Sequence, residues 1–173
     1  MNNQTRTRTL VVNALVAALY IVLSVVPGVF NLASGAIQFR ISEALNHLVA
    51  FNRKYLFGVV IGVVIYNALF SPMGWLDVLF GGGQSLIGLG LVAALGPKLT
   101  KVWQRQLLTV CTMSLTMFLI WIEIVLTGHM AWFGGASMLT LGELILSELV
   151  IMVISWPVMY LIDKAVHFSK RVQ

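Results

Sequence analysis

Apolar stretches alternate with short polar turns along almost the whole chain, a pattern typical of a protein built from membrane-spanning helices. The turns are marked by Pro-Gly at 27–28, by Asn-Arg-Lys at 52–54 and by Ser-Pro-Met-Gly at 71–74. The stretches between turns predict six helices, at 10–26, 37–51, 55–70, 75–95, 106–126 and 138–162. The second of these helices is short for a full membrane span.

The composition places the chain in a lipid bilayer. Of its 173 residues, 59% are hydrophobic and 10% are charged, and the mean hydropathy is +0.93. A soluble domain carries about 25% charged residues, so this chain lacks the polar groups that a water-exposed surface needs. Its length suits one compact helical bundle, and we expect a single domain over residues 1–173.

The basic residues predict the topology of this bundle. The net charge is +5, but the lysines and arginines lie at the ends of apolar stretches and form no patch, which argues against nucleic-acid binding. With six spans and the N-terminus inside, ten of the eleven fall on the cytoplasmic side: Arg6, Arg8, Arg53, Lys54, Lys98, Lys101, Arg105, Lys164, Lys170 and Arg171. Because lysines and arginines near membrane spans are retained on the cytoplasmic side, this distribution predicts an all-α bundle of six transmembrane helices with both termini cytoplasmic. The eleventh, Arg40, falls near the outer face.

The second predicted helix carries three ionisable side chains on one face. Arg40, Glu43 and His47 occupy positions i, i+3 and i+7, which share a face of an α-helix. Ionisable groups are costly in lipid and usually face the bundle interior or a watery cavity. This face therefore predicts a polar site inside the bundle. The alternative is a purely structural role, in which Arg40 and Glu43 pair across one helical turn.

Further acids, amides and aromatic rings fall at the outer ends of the other helices. Carboxylates accept hydrogen bonds from ring N–H and amino groups, and aromatic rings stack on flat heterocycles. We predict a site for a small flat ligand, with these substrate-binding residues: Arg40, Glu43, Trp75, Asp77, Gln84, His129, Trp132 and Glu143. The alternatives are an interfacial belt for the tryptophans, packing for the histidines, and an interfacial position in water for Asp77 and Glu123.

Small residues at helical spacing predict close contacts between helices. Ala14-x-x-x-Ala18 lies on the first predicted helix, Gly58-x-x-x-Gly62 on the third and Gly90-x-x-x-Ala94 on the fourth. We expect both glycine-containing pairs to pack inside the bundle. The single cysteine, Cys111, is expected to be a small buried hydrophobic residue.

Several catalytic motifs are absent from the sequence. It contains no G-x-x-x-x-G-K-[ST] and no H-E-x-x-H, so neither ATP hydrolysis by a P-loop nor a catalytic metal is expected. No cofactor is expected, and the chain is predicted not to be an enzyme. Two other classes remain as alternatives: a stand-alone proton-coupled transporter using Glu143 or Glu148, and an intramembrane enzyme using Ser85.

Two motifs resemble the QueT family, the substrate-binding (S) components of energy-coupling factor transporters. They are I-Q-F-R-I-S-E-A-L at 37–45 and W-L-D-V-L-F-G-G at 75–82. The resemblance implies a protein of the cell membrane that binds a micronutrient from outside. It also implies partners: a transmembrane coupling subunit (EcfT-like) and two cytoplasmic ATPase subunits. Ala14 and Ala18 match the alanine pattern with which S components contact the coupling subunit.

The family name implies a queuosine precursor, a 7-deazaguanine, as the substrate. The N–H donors of a guanine-like edge suit Glu43, Asp77 or Glu143. The sequence departs from the family pattern after D-V-L-F-G at 77–81, where Gly82-Gly83-Gln84-Ser85 stands in place of Ser and Ala-Thr. Hydroxymethylpyrimidine, the pyrimidine precursor of thiamine, and a pyridoxine-type vitamin are therefore alternative substrates.

Overall fold

Helices make up all the regular structure of the chain in the ranges that are described. A computed structural model describes residues 3–29 and 40–172, and no strand occurs within these ranges. The α-helices are α1 (Asn3–Val29), α2 (His47–Phe51), α3 (Leu56–Phe70), α4 (Trp75–Leu95), α5 (Val102–Thr116), α6 (Phe118–Thr127), α7 (Gly135–Val166) and α8 (Phe168–Arg171). Short 3₁₀ segments occupy Ile41–Asn46, Arg53–Tyr55 and Gly96–Lys98. The prediction of an all-α protein is confirmed.

Five stretches of the described residues are long and apolar enough to cross a membrane. They are Asn3–Val26, Arg53–Phe70, Trp75–Lys98, Val102–Thr127 and Gly135–Val166. In the bundle, α1 packs on α3, α3 on α4, α4 on α5, and α5 on α7. Several membrane-competent helices packed in this way are the architecture of an integral membrane protein.

The second predicted helix has a different form from the other spans. Its first residues, 37–39, lie outside the described residues; the remainder is the 3₁₀ segment Ile41–Asn46 followed directly by α2. Together these rise about 20 Å, which is less than the hydrocarbon thickness of about 30 Å. All five residues of α2 are buried, and the segment packs against α1, α5 and α7. Tertiary contacts thus override the α-helical spacing predicted for residues 41–46.

Glycines bring α1 and α3 into close contact. The Gly58 amide donates to Asn13 Oδ1 at 2.7 Å, and a Cβ atom at Gly58 would lie 2.8 Å from the Asn13 carbonyl oxygen. A Cβ at Gly62 would lie 2.7 Å from Tyr20 Cβ. The prediction that this pair packs inside the bundle is confirmed. The same prediction for the fourth helix is wrong, because a Cβ at Gly90 would meet no atom within 4 Å and Ala94 is exposed.

The fifth predicted helix, 106–126, is two helices in the structure. α5 begins earlier than predicted, at Val102, and the helix is interrupted at Met117, after which α6 begins. Three threonines of α5, at 109, 112 and 116, donate their hydroxyls to carbonyls one turn earlier. Such bonds compete with the helical ladder and bend helices, which accounts for a break that hydrophobicity alone does not predict.

The remaining long helices are each a single helix in the structure. α3 and α4 match the predicted bounds closely, whereas α1 extends beyond both ends of 10–26 and α7 beyond both ends of 138–162. Pro157 lies inside α7 without ending it.

Cys111 is exposed on the outer surface of α5, so the expectation of a buried cysteine is wrong. Leu107 and Leu115, one turn away on either side, are also exposed, so this face of α5 points away from the core of the bundle.

Candidate functional site

A cavity of about 440 Å³ lies at one end of the bundle. α1 contributes Tyr20 and Ser24, near its C-terminal end, and α4 contributes Asp77, in its first turn. Arg6 and Arg8 are near the opposite end of α1. The cavity therefore occupies the end away from Arg6 and Arg8, and Arg40 is the basic residue among the described residues that line it. The acidic, basic and amide side chains that line it are Arg40, Glu43, Asn67, Asp77, Gln84 and Glu123.

Glu43 is held by hydrogen bonds to both of its carboxylate oxygens. Tyr20 Oη donates to Oε1 at 2.7 Å, and Asn46 Nδ2 donates to Oε2 at 2.6 Å. The side chain is 5% exposed, and the Arg40 guanidinium interacts with it electrostatically. The 3₁₀ segment that carries Glu43 packs on α1, which is why Tyr20 reaches it. Glu43 is thus fixed in position by the protein itself.

Asp77 is oriented by the turn that precedes α4. The Ser71 hydroxyl and the Met73 amide both donate to Asp77 Oδ2, the latter at 3.0 Å. Gly74 makes this turn possible, because its φ of +58° lies in the left-handed region that favours glycine. Asn67 Nδ2 on α3 donates to the Asp77 carbonyl at 2.8 Å and so ties the start of α4 to the end of α3.

Gln84 connects α4 to the break between α5 and α6. Its Nε2 donates to Thr116 Oγ1 at 3.2 Å and to the Met113 carbonyl at 3.4 Å, and its Oε1 accepts from Ser85 Oγ at 3.2 Å. The side chain is buried while lining the cavity. Gln84 is therefore placed to set the position of α6, which follows the break.

Glu123 on α6 lies beside Asp77 and lines the same cavity, although it is absent from the predicted site residues. It is 2% exposed, and its Oε1 has no hydrogen-bond partner. An acid inside the apolar run W-I-E-I-V-L was the available signal, since an ionisable residue within a span marks a functional position. The alternative of an interfacial position in water is wrong for Glu123, because its side chain is buried.

Comparison with known proteins gives the family. The QueT transporter family matches residues 10–164, most of the chain. The chain belongs to the QueT transporter family. A relative from Lactococcus lactis subsp. cremoris (strain MG1363), described as "Queuosine precursor transporter QueT", is 33% identical over 96% of this chain and 99% of its own length. No solved structure matches the chain.

Both motifs that carried the resemblance to the QueT family reach the cavity. Arg40, Ser42 and Glu43 come from the first motif, and Asp77 and Gly81 come from the second. Four of the eight predicted site residues thus line one cavity: Arg40, Glu43, Asp77 and Gln84. Their convergence requires the 3₁₀ segment to pack between α1 and α7.

The other four predicted site residues do not line the cavity. Trp75 is 71% exposed at the start of α4, and Trp132 is 44% exposed and packs edge-on against Trp121 at 5.8 Å between ring centroids. His129 is exposed in the turn between α6 and α7. Glu143 is exposed on α7, whereas its neighbour Leu144 faces the cavity. The aromatic residues that do line it are Tyr20, Tyr66 and Phe70.

Two further features concern predicted partners and metals. Ala14 and Ala18 are exposed on α1, to one side of the face formed by the buried Asn13, Ala17 and Tyr20. Within the described residues, no group of three or more His, Cys, Asp or Glu side chains is arranged to hold a metal ion.

Proposed function

We propose that this chain is the substrate-binding S component of an energy-coupling factor transporter in the cell membrane. Its substrate is a flat heterocycle of the queuosine-precursor type, which enters from outside. In this proposal residues 37–51 complete a six-helix bundle, residues 1–173 are one domain, and both termini are cytoplasmic. The name of the Lactococcus relative and the family membership support the substrate class.

One observation carries the proposal: motif residues separated in sequence line one cavity, at the end of the bundle away from Arg6 and Arg8. Arg40 and Glu43 meet Asp77 there. Because basic residues are retained in the cytoplasm, a cavity at the opposite end is open to substrate from outside. The chemistry also fits, since carboxylates accept from the N–H groups of a deazaguanine and Tyr66 offers an aromatic face.

The size of the cavity supports a small ligand. Small-molecule sites typically measure about 300–1,000 Å³, and the volume of about 440 Å³ lies in that range. A bicyclic heterocycle with a short substituent fits such a volume. Hydroxymethylpyrimidine and pyridoxine are smaller rings that need the same kind of lining, and they serve as competitors in the binding test.

Binding of a 7-deazaguanine by the purified chain in nanodiscs tests the site. Asp77→Asn removes one negative charge while an amide oxygen remains to accept from Ser71 and Met73, so we expect the Kd to rise about tenfold without loss of folding. Asp163→Asn is the matched control. Asp163 lies near the C-terminal end of α7, does not line the cavity, and accepts a hydrogen bond from the Phe168 amide. Tighter binding of the pyrimidine or pyridoxine competitor would reassign the substrate, and equal Kd values in both variants would remove Asp77 from the site.

Partner subunits are tested by affinity purification of the tagged chain. The sequence has no P-loop, so we propose that ATP is hydrolysed by two cytoplasmic ATPase subunits held through a coupling subunit. Ala14 and Ala18 on the exposed face of α1 are proposed to contact that coupling subunit. Ala14→Trp should therefore abolish recovery of the partners and leave ligand binding unchanged.

One arrangement favours a second candidate function, that of a stand-alone proton-coupled transporter. Glu148 is 2% exposed inside the bundle and interacts electrostatically with Glu43 and Arg40. A buried carboxyl in such a position can carry a proton. Uptake by this chain alone in liposomes, driven by a proton gradient and lost in Glu148→Gln, would establish this function and reject the S-component proposal.

A further inference from the structure

The last described residues of the chain, 167–172, fold back onto the bundle and are called the C-terminal tail below. The chain reverses direction at His167, which ends α7 in the left-handed conformation with φ of +56° and ψ of +61°. α8 follows directly and packs on α1 and α2. The terminal residues of most domains are poorly ordered unless specific contacts tie them down, so the contacts of this tail indicate a role.

Phe168 anchors the tail on both sides of the turn that follows α2. Its ring centroid lies 5.6 Å from that of Phe51 and 6.2 Å from that of Tyr55, edge-on to the latter ring. Tyr55 Oη donates to the Phe168 carbonyl at 2.9 Å, and Asp163 Oδ1 accepts from the Phe168 amide at 2.8 Å. The ring, the amide and the carbonyl of Phe168 are therefore all held.

Two further contacts extend the tail beneath the inner end of α2. Asn52 Nδ2 donates to the Ser169 carbonyl at 3.2 Å. The Val172 side chain is fully buried and belongs to the same hydrophobic core as Phe51. Because residues 41–51 rise only about 20 Å, they do not reach across the bilayer by themselves. The tail supplies the packing on which their inner end rests.

The outer end of the same segment forms part of the cavity wall. Residues 41–51 run without interruption from Glu43, which lines the cavity, to Phe51, which packs on the tail. Between these ends, His47 Nε2 is hydrogen-bonded to the Met152 carbonyl at 2.9 Å. A short segment that is buried and bonded along its length shifts as a unit, because close packing leaves no room for it to deform locally. A displacement of its inner end is thus transmitted to its outer end.

Resting on the proposed function, we propose that the C-terminal tail positions residues 40–51 for ligand binding, with Phe168 as the positioning residue. None of the tail residues lines the cavity, so the tail acts through the segment and does not touch the ligand. A binding site loses affinity when its groups are displaced by a fraction of an ångström. Tail docking and ligand binding then favour the same position of the segment, and each strengthens the other by the same factor.

Calorimetry on the full chain in nanodiscs, with 7-deazaguanine as the probe, measures the effect on affinity. Phe168→Ala removes the ring contacts at the inner end, so the Kd should rise at least about fivefold. Phe168→Leu retains apolar bulk and should restore most of the affinity. Lys170→Ala is the control on the same helix, because the Lys170 side chain is exposed, and it should bind as the wild type does.

Tyr55→Phe tests the same contact with a smaller change. It removes the hydrogen bond to the Phe168 carbonyl and keeps both rings packed, so the Kd should rise about threefold. It decides the question if Phe168→Ala does not fold. Tyr160→Phe is the matched control, since Tyr160 is exposed on α7. Asp163→Asn retains an oxygen that accepts from the Phe168 amide, so tail docking persists in that variant.

Hydrogen exchange measures the coupling in the opposite direction. The Phe168 and Lys170 amides are hydrogen-bonded when the tail is docked, so 7-deazaguanine should slow their exchange about as much as Phe168→Ala weakens binding. Without ligand, Phe168→Ala should speed the exchange of amides in residues 41–51. A tail that only stabilised the fold would lower Tm when altered, but ligand would not protect it.

The outcomes separate the two proposals. Wild-type affinity in both Phe168→Ala and Tyr55→Phe, or exchange in the tail that ligand leaves unchanged, would overturn the positioning proposal and leave the transport proposal standing. Loss of affinity in Lys170→Ala or Tyr160→Phe equal to that in the tail variants would also overturn it. Failure of the wild-type chain to bind 7-deazaguanine would overturn the proposed function, and this inference with it.

Discussion

Where α1 packs on α3, a glycine of α3 approaches main-chain atoms of α1. Where α4 packs on α5, a glycine of α4 approaches the ends of α5 side chains. A Cβ at Gly58 would lie 2.8 Å from the Asn13 carbonyl oxygen, an atom that cannot move without moving α1. A Cβ at Gly88 on α4 would lie 2.8 Å from Met113 Sδ and 3.0 Å from Thr116 Oγ1. Methionine has a flexible side chain that adapts to such intrusions.

The difference gives the cavity one firm side and one adaptable side. On the firm side, α1 and α3 hold Tyr20 and Asn67 at a separation set by main-chain contact. On the adaptable side, Gln84 links α4 to the break at Met117, beyond which α6 carries Glu123. We expect ligand-dependent adjustment to occur mainly on the second side, because hydrogen bonds between side chains rearrange at a lower cost than packed backbones.

Gly58→Ala should have the largest effect on stability. The new methyl group would force α1 away from α3, so the free energy of unfolding should fall by about 2 kcal/mol despite the better helix propensity of alanine. For a chain of this length that corresponds to a fall in Tm of about 4–8 °C. Thermal unfolding in detergent, followed by circular dichroism, measures it.

Gly90→Ala is the control for this prediction, since a Cβ there meets no atom within 4 Å. Its Tm should be unchanged or slightly higher. A Gly58→Ala protein as stable as Gly90→Ala would show that the α1–α3 contact is not fixed by the backbone.

Gln84→Leu should have an intermediate effect, chiefly on binding. Loss of its bonds to Thr116 and to the Met113 carbonyl should lower stability by about 1 kcal/mol and weaken ligand binding severalfold, because α6 loses its link to α4. Calorimetric Kd values, with Tm measured on the same samples, check both effects.

Thr116→Val distinguishes positioning by Gln84 from direct contact with the ligand. Thr116 is not among the residues that line the cavity, yet it accepts from Gln84. If Gln84 affects binding by positioning α6 through its hydrogen bond to Thr116, Thr116→Val should reproduce part of the loss in ligand affinity seen in Gln84→Leu. Wild-type affinity in Thr116→Val, beside a large loss in Gln84→Leu, would instead place Gln84 in direct contact with the ligand.

Gly88→Ala should have the smallest effect. Met113 can rotate its sulfur away from the new methyl group, so the free energy of unfolding should change by about 0.5 kcal/mol or less. A loss of stability as large as that in Gly58→Ala would remove the distinction between the two interfaces.

Hydrophobic patterning predicted the long helices well, because each needs little more than a sustained apolar run between turn residues. α4 has the predicted bounds, 75–95, and α3 differs by one residue at its start. Patterning failed where polar side chains decide the geometry. The 3₁₀ form of residues 41–46 follows from burial between α1 and α7, and the break at Met117 follows from threonine hydroxyls; neither changes the hydropathy of the segment.

The candidate site was predictable where residues lie on short motifs and less so where the direction of a side chain on a long helix matters. Arg40, Glu43 and Asp77 line the cavity as their positions indicated, and Gln84 joins them from the next turns of α4. Sequence gives the approximate height of a residue on a helix but not the direction of its side chain. Glu123 and Glu143 have similar predicted heights, yet one faces the cavity and the other is exposed.

The exposed thiol of Cys111 has a practical consequence. Because the sequence contains one cysteine, a nitroxide label attaches at a single known point without any engineering of the chain. That point lies within the stretch Val102–Thr127 on the outer surface of α5. The accessibility of the label to dissolved oxygen, compared with a water-soluble nickel chelate, reads the immersion depth of α5 in a native bilayer and any tilt that accompanies nutrient uptake.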